Sequence, residues 1–225
     1  MATTVGSLAG LDEIFGRARA HFEAKNRARE TALSRSREVI RSSANTIRAI
    51  HRHDFDLAAR LLTDARTALE SATASVAEFP DVHYAGFIHD AQKEFSEAST
   101  VLAVLQGEPL PGPELVGVDW PAYLNGIGEA IGELRRFLVD GLRRNDLSAG
   151  DALLQGMDDI YALLVTIDYP DGMTGGLRRT TDVARGILEK TRGDLTVAVR
   201  QDRLERQLRA VETQVVQTAT ILSVG

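Results

Sequence analysis

Apolar residues recur every three or four positions along nearly the whole chain, and this period limits the fold more than any other feature of the sequence. Side chains with that spacing share one face of an α-helix, whereas a half-buried strand requires polar and apolar residues to alternate. No alternating stretch is longer than four residues, and no internal repeat is present. The pattern therefore predicts an all-α protein, with residues 1–225 forming one domain built as a bundle of about seven helices.

Proline, glycine and capping residues mark where the predicted helices begin and end. Asp54 is a favourable N-cap. Pro80 ends a helix because its nitrogen carries no hydrogen, whereas Pro121 suits a first turn. Three prolines and three glycines in residues 107–118 predict a crossover loop. The predicted helices are Leu8 to His53, Asp54 to Phe79, His83 to Gln106, Pro121 to Arg144, Asp146 or Ser148 to Ile167, Leu177 to Arg200, and Gln201 to Leu222.

The composition excludes several classes of protein. The lack of cysteine excludes disulfides and thiolate metal sites, and the lack of an apolar run of eighteen residues excludes a membrane span. The first residues lack the basic start and apolar block of a signal peptide, so we expect a cytoplasmic protein. A phosphate-binding GxxxxGK(S/T) loop, a nucleophile-elbow serine and an HExxH zinc motif are also missing.

Charge is distributed unevenly along a chain whose net charge is −6. Residues 1–53 contain ten basic and five acidic residues, against sixteen and twenty-seven in the remainder. A basic first helix can bind a phosphate backbone locally, because charges are screened beyond about 10 Å. We take Arg27, Arg35 and Arg41, spaced along this helix, as candidate nucleic-acid contacts. The alternative is a solvated helix with surface salt bridges.

Three carboxylates border the apolar stripe of the predicted helix at His83 to Gln106. Asp90, Glu94 and Glu97 each precede a stripe residue by one position, so they form a ridge along the edge of the buried face. Acids in such a place can converge with acids from a neighbouring helix and bind a hard divalent cation such as Mg²⁺ or Mn²⁺.

Later helices carry further acids that could complement this ridge. Glu133 lies in the segment GELRR, and Asp158 and Asp159 lie in MDDIY. Spacing alone leaves open the alternative that all of these acids are surface ion-pair partners.

Three segments of the chain resemble the translin family. The segment HDAQKEFSEA at 89–98 resembles the family's QEYVEA segment, with Lys93 as one extra residue. The segment AYLNGIGEAIGELRRFLVDGLRRND at 122–146 resembles its GEL helix, and residues 157–200 resemble its archaeal branch. The resemblance covers residues 15–205. It implies a seven-helix protomer that assembles into a closed barrel around single-stranded RNA or DNA.

The resemblance also implies roles for individual residues. Glu94 and Glu97 match the two glutamates of the EYVEA motif of translin-associated factor X, the family's Mg²⁺-dependent RNA-cleaving subunit, and Glu133 matches its GEL glutamate. Ala162 stands where that subunit has an aspartate, and a neighbouring acid one turn earlier would have to substitute. The implied catalytic residues are Glu94, Glu97 and Glu133. The implied metal ligands are Glu94, Glu97, Glu133, Asp158 and Asp159.

The family's basic nucleic-acid-binding segments correspond to the first helix and to RAIHRHD at 48–54, which contains His51 and His53. Histidines near the end of a helix are also favoured by its dipole, so both have a capping alternative. The resulting expectation is a Mg²⁺-dependent endoribonuclease acting on single-stranded RNA. A non-catalytic protein that binds single-stranded RNA or DNA is the alternative, and a structural scaffold is the third.

Two features predict self-assembly. The last predicted helix has an apolar seam from Leu204 to Leu222. The first predicted helix has about 45 residues and would be roughly 68 Å long. A compact chain of this size has a radius of gyration of only about 17 Å, so the rest of one protomer cannot cover this helix. With the resemblance, this predicts a homo-oligomer of about six to eight subunits. Aromatic residues make up only 5% of the chain, so we expect few surfaces on which bases could stack.

Overall fold

A computed structural model describes residues 10–223, with side chains described up to residue 216. These residues contain helices and no strand, which confirms the all-α prediction. The predicted start of the first helix at Leu8 lies outside the described residues. The helices are α1 (Leu11–His51), α2 (Phe55–Ser75), α3 (Pro80–His83), α4 (Gly86–Gln106), α5 (Pro113–Val116), α6 (Trp120–Arg143), α7 (Gly150–Leu164), α8 (Asp171–Thr174) and α9 (Leu177–Ser223).

The chain divides into two compact units, and the division falls within α6, between Gly126 and Ile127. In the first unit α1 packs against both α2 and α4, and α2 packs against α4. The face of α2 that enters this core is rich in alanine, which lets α1 approach closely. Its buried residues are Ala58, Ala65, Ala68, Leu69 and Ala72. Phe95 of α4 and Ile50 of α1 are fully buried in the same unit. The prediction of a single domain stays a prediction.

The end of α1 and the start of α2 are set by local hydrogen bonds. His53 adopts a left-handed conformation with φ of 59°, and its N–H donates to the Ile50 carbonyl at 2.8 Å. The N–H of Asp54 donates to the Ala49 carbonyl at 3.0 Å, which completes a Schellman motif. The Asp54 carboxylate then accepts the Leu57 N–H at 3.0 Å, so the predicted N-cap is confirmed.

The second unit contains the rest of α6 and the helices from α7 onward, and in it α7 packs against α9. Met157 and Leu164 of α7 and Leu188 and Leu195 of α9 are buried. No helix in the described part of the chain is both long enough and apolar enough to cross a bilayer.

Two details of the predicted helix pattern are wrong. The predicted break between Arg200 and Gln201 does not exist, because α9 continues to Ser223. Residues 201–223 contain neither proline nor glycine. Asp202, the nearest residue that could act as an N-cap, forms an ion pair with Arg206 at 2.8 Å instead. The one-turn helices α3, α5 and α8 were not predicted. The first two have proline in their first turn, because proline suits that position as well as ending a helix.

Apolar side chains are exposed at the two ends of the chain. On α9 they form a row at near-heptad spacing, here called the α9 seam: Leu204, Leu208, Val211 and Val215. Ala219 and Leu222, which the sequence analysis placed on the same seam, lie outside the residues whose side chains are described. In the first half of α1, Ile14, Phe15 and Phe22 are also exposed.

Candidate functional site

Glu94 and Glu97 lie one turn apart on α4, and both are half-buried. Each offers a carboxylate oxygen within 4.8 Å of the other. They border the face that α4 buries through Ala91, Phe95 and Ala98. Asp90, the first acid of the predicted ridge, is exposed. The carboxylate pair, meaning Glu94 and Glu97, is therefore the part of the ridge that lies against the core.

A close helix crossing holds the stretch of α4 that carries this pair. A Cβ atom on Gly126 of α6 would lie 2.5 Å from the carbonyl oxygen of Lys93, 2.6 Å from Cβ of Ser96 and 2.9 Å from the amide nitrogen of Glu97. Ser96 is fully buried, and its hydroxyl donates to the Gln92 carbonyl at 2.8 Å. Only glycine fits at position 126. Because it has no side chain, the backbones of α6 and α4 can pack closely, and this packing fixes the position of the carboxylate pair.

Glu133, Asp158 and Asp159, the remaining predicted metal ligands, each contact a polar neighbour. Glu133 lies 3.5 Å from Arg136 on the same helix. Arg192 donates to both oxygens of Asp158, at 2.6 and 2.8 Å. Asp159 accepts a hydrogen bond from Gln155 at 2.8 Å.

Within the described residues, none of these three acids belongs to a cluster of three or more possible metal-ligating side chains. Their proposed role at the metal stays a prediction.

Neither Gly126 nor Glu129 was predicted from the sequence, although both lie on the helix that carries the GEL segment. Glu129 is half-buried and follows Gly126 by three residues, which is almost one turn of α6. The resemblance directed attention to Glu133 instead. A glycine in the interior of a predicted helix, with an acid one turn later, was the signal available.

The candidate nucleic-acid contacts on α1 are exposed. Arg27 and Arg41 are open to solvent, and Arg35 donates to Glu38 at 2.7 Å. Arg35 and Arg41 border a surface groove of about 360 Å³ between α1 and α2. Asp64 also lines this groove, so its charge is mixed.

The two candidate histidines lie where α1 ends. His51 is the last residue of the helix and is half-buried. His53 is exposed, and its ring makes an edge contact with Phe55 at a centroid distance of 6.4 Å. The left-handed backbone at His53 gives this residue a structural role in ending α1, whatever it binds.

Comparison with known proteins shows similarity over most of the chain. No protein-family model matches it. An uncharacterized protein of Methanocaldococcus jannaschii is 32% identical over 190 residues, which is 84% of each sequence. The AfC3PO structure, determined alone and in a complex with duplex RNA, is 31% identical with a TM-score of 0.77, over 84% of this chain and 98% of that one. The apo-NeC3PO structure has a TM-score of 0.71 and is 19% identical, over 88% of this chain and 100% of that one. At that identity the similarity shows a shared fold alone.

Proposed function

The chain belongs to the translin family, and from that premise we propose that it is a Mg²⁺-dependent endoribonuclease that binds and cleaves single-stranded RNA. The observation that carries this proposal is the carboxylate pair, held half-buried where Gly126 packs against α4. A structural scaffold has no need for two like charges at the border of a core, because they repel each other there.

The donor set fits a hard divalent cation. Mg²⁺ prefers oxygen ligands and is commonly held by one or two carboxylates, with water and substrate phosphates filling the remaining positions. Glu94 and Glu97 provide two carboxylates with oxygens within 4.8 Å of each other, a separation that small side-chain rotations can close around one ion. Mn²⁺ accepts the same ligands. When bound, the cation supplies a more acidic water and a positive charge beside the phosphodiester.

Glu133, Asp158 and Asp159 stay the further ligands that the resemblance implies. Arg192 donates to both oxygens of Asp158, so a metal at Asp158 would compete with that guanidinium.

RNA is the proposed substrate because a relative at 31% identity, AfC3PO, was solved in a complex with duplex RNA. In this chain the exposed cations Arg27, Arg35 and Arg41 would hold the strand through its phosphates, which gives affinity without sequence preference. Assembly into about six to eight subunits would present several basic α1 helices to one strand and raise affinity through avidity.

Cleavage of an unstructured, end-labelled RNA tests the proposal. The wild-type protein should cut this RNA with Mg²⁺ and leave it intact with EDTA, and Glu94→Gln with Glu97→Gln should abolish cutting. A matched control, Glu70→Gln with Glu189→Gln, removes the same two charges from exposed positions and should cut normally.

The substrate and the alternative function are tested in the same experiment. A duplex of the same sequence shows whether single strands are preferred. If the wild-type protein binds the RNA but leaves it intact with Mg²⁺, the protein is a non-catalytic RNA-binding protein and the proposed nuclease activity is refuted.

A further inference from the structure

Two of the exposed aromatic side chains of the first unit lie close to the starts of α4 and α6. Tyr84 is 76% accessible and Trp120, the only tryptophan of the chain, is 57% accessible. Large aromatic rings generally contribute to a core or an interface, because each carries an extensive apolar surface. Their exposure therefore leaves the faces of both rings available to a ligand.

Both rings are braced by neighbours. The Tyr84 ring makes an edge contact with the His83 ring at a centroid distance of 4.8 Å, and His83 Nε2 lies 3.3 Å from Asp119 Oδ2. Trp120 follows Asp119 in the chain and makes an edge contact with the Tyr123 ring at 6.0 Å. The Tyr123 hydroxyl in turn donates to the Pro111 carbonyl at 2.7 Å. A line of contacts thus joins the two exposed rings and holds them in place.

The rings lie at the end of the α4–α6 pair that precedes the carboxylates. Tyr84 comes two residues before α4 begins, and Glu94 is eight residues further, or about 12 Å along the helix. Trp120 is the first residue of α6, and the crossing at Gly126 is about 9 Å along. A stacked strand covers such a distance in about three or four nucleotides.

We infer that Tyr84 and Trp120 form a stacking platform for unpaired bases of the RNA strand whose phosphodiester lies at the carboxylate pair. This inference rests on the proposed function and specifies its substrate class. Every base has an aromatic face, so stacking tolerates any sequence, but bases inside a duplex have both faces covered by their neighbours. The platform would therefore select single-stranded segments.

The charges around the rings are unsuited to phosphate. Asp119, the residue before Trp120, is acidic, and its Oδ2 lies 3.3 Å from His83 Nε2. We expect affinity at this surface to come from ring stacking, which does not release counterions. Loss of the platform should thus lower affinity without changing its salt dependence, in contrast to loss of the arginines on α1.

The sole tryptophan reports stacking directly. In EDTA, where no cutting is expected, a 12-nucleotide oligouridine should quench Trp120 fluorescence, whereas an abasic strand of equal length and a duplex should not. Tyr84→Ala should weaken binding of the oligouridine about five- to hundredfold, as measured by fluorescence anisotropy at several salt concentrations, with an unchanged salt slope. Tyr169→Ala removes another exposed tyrosine ring, 58% accessible, from the second unit and is the matched control.

Several outcomes would overturn the platform. The first is that RNA binds, as measured by anisotropy, but does not quench Trp120 fluorescence. The second is that Tyr84→Ala binds the oligouridine as tightly as the wild type does. The third is that the abasic strand quenches Trp120 as strongly as the oligouridine does. A change of oligomer mass in Trp120→Ala with unchanged RNA affinity would assign the surface to a protein partner and equally refute the platform. Quenching by oligouridine together with intact RNA in Mg²⁺ would support the platform and contradict only the proposed nuclease activity. Circular dichroism checks that each variant is folded.

Discussion

Replacing Gly126 by alanine tests whether the close crossing of α6 and α4 holds the carboxylate pair. In a helix that touches nothing, alanine is more stable than glycine by about 0.5–1 kcal/mol, because glycine loses more backbone entropy on folding. At Gly126 the added methyl group would lie 2.5 Å from the Lys93 carbonyl oxygen and 2.9 Å from the Glu97 nitrogen. Both are backbone atoms, so neither can rotate away and the helices must separate.

The two effects oppose each other, and their magnitudes decide the sign. Overpacking a close contact costs about 1–3 kcal/mol, so after the gain in helix propensity we expect a net loss of roughly 0.5–2 kcal/mol in the free energy of unfolding. A displacement near 1 Å at catalytic groups commonly costs about a hundredfold in rate. RNA cleavage by the variant should fall by about that factor.

Gly186→Ala is the matched control. A Cβ atom at Gly186 of α9 meets no atom within 4 Å, so alanine there should stabilise the protein by about 0.5–1 kcal/mol and leave cleavage unchanged. Urea unfolding followed by circular dichroism, at one protein concentration for all variants, gives both free energies. If Gly126→Ala proves as stabilising as Gly186→Ala, the proposed role of the crossing is refuted.

Three further predictions concern the metal, the RNA contacts and assembly. Mg²⁺ should raise the melting temperature of the wild type but not that of Glu94→Gln with Glu97→Gln, because a ligand that binds only the folded state stabilises it; equal shifts in differential scanning fluorimetry would place the metal elsewhere. Replacing Arg27, Arg35 and Arg41 by Gln should weaken RNA binding. It should also flatten the slope of log affinity against log salt concentration by about 0.7 for each phosphate interaction that is removed. An unchanged slope would show that the phosphates bind to other residues. Light scattering should give a mass of about six to eight subunits at micromolar concentration, and polar substitutions in the α9 seam should lower it; a wild-type monomer would contradict this assembly.

Much of the helical architecture was predictable because its signals are local. Asp54 was predicted as an N-cap from its own side chain, and Pro80 and Pro121 were predicted as helix boundaries from their ring chemistry. The predicted break before Gln201 was wrong because no local signal ends a helix there. Residues 201–223 contain neither proline nor glycine, and Asp202 forms an ion pair with Arg206 along the same helix.

The candidate site was predictable only where its residues share one helix. Glu94 and Glu97 were found by spacing, because a single turn of helix already brings them together. Gly126 was not found, since a glycine that permits a close crossing is recognised only when its partner helix is known. The exposure of Trp120 likewise depends on how α6 packs, so the aromatic content of the sequence does not indicate which rings reach the surface.

Direct binding of Mn²⁺ tests the central claim most simply, because it needs neither RNA nor turnover. Electron paramagnetic resonance counts free and bound Mn²⁺ in samples of the wild type, of Glu94→Gln with Glu97→Gln, and of the exposed control pair Glu70→Gln with Glu189→Gln. We expect the wild type and the control to bind one Mn²⁺ per chain more than the double variant, and excess Mg²⁺ to displace this ion. Equal binding by all three proteins would contradict a metal centre at the carboxylate pair.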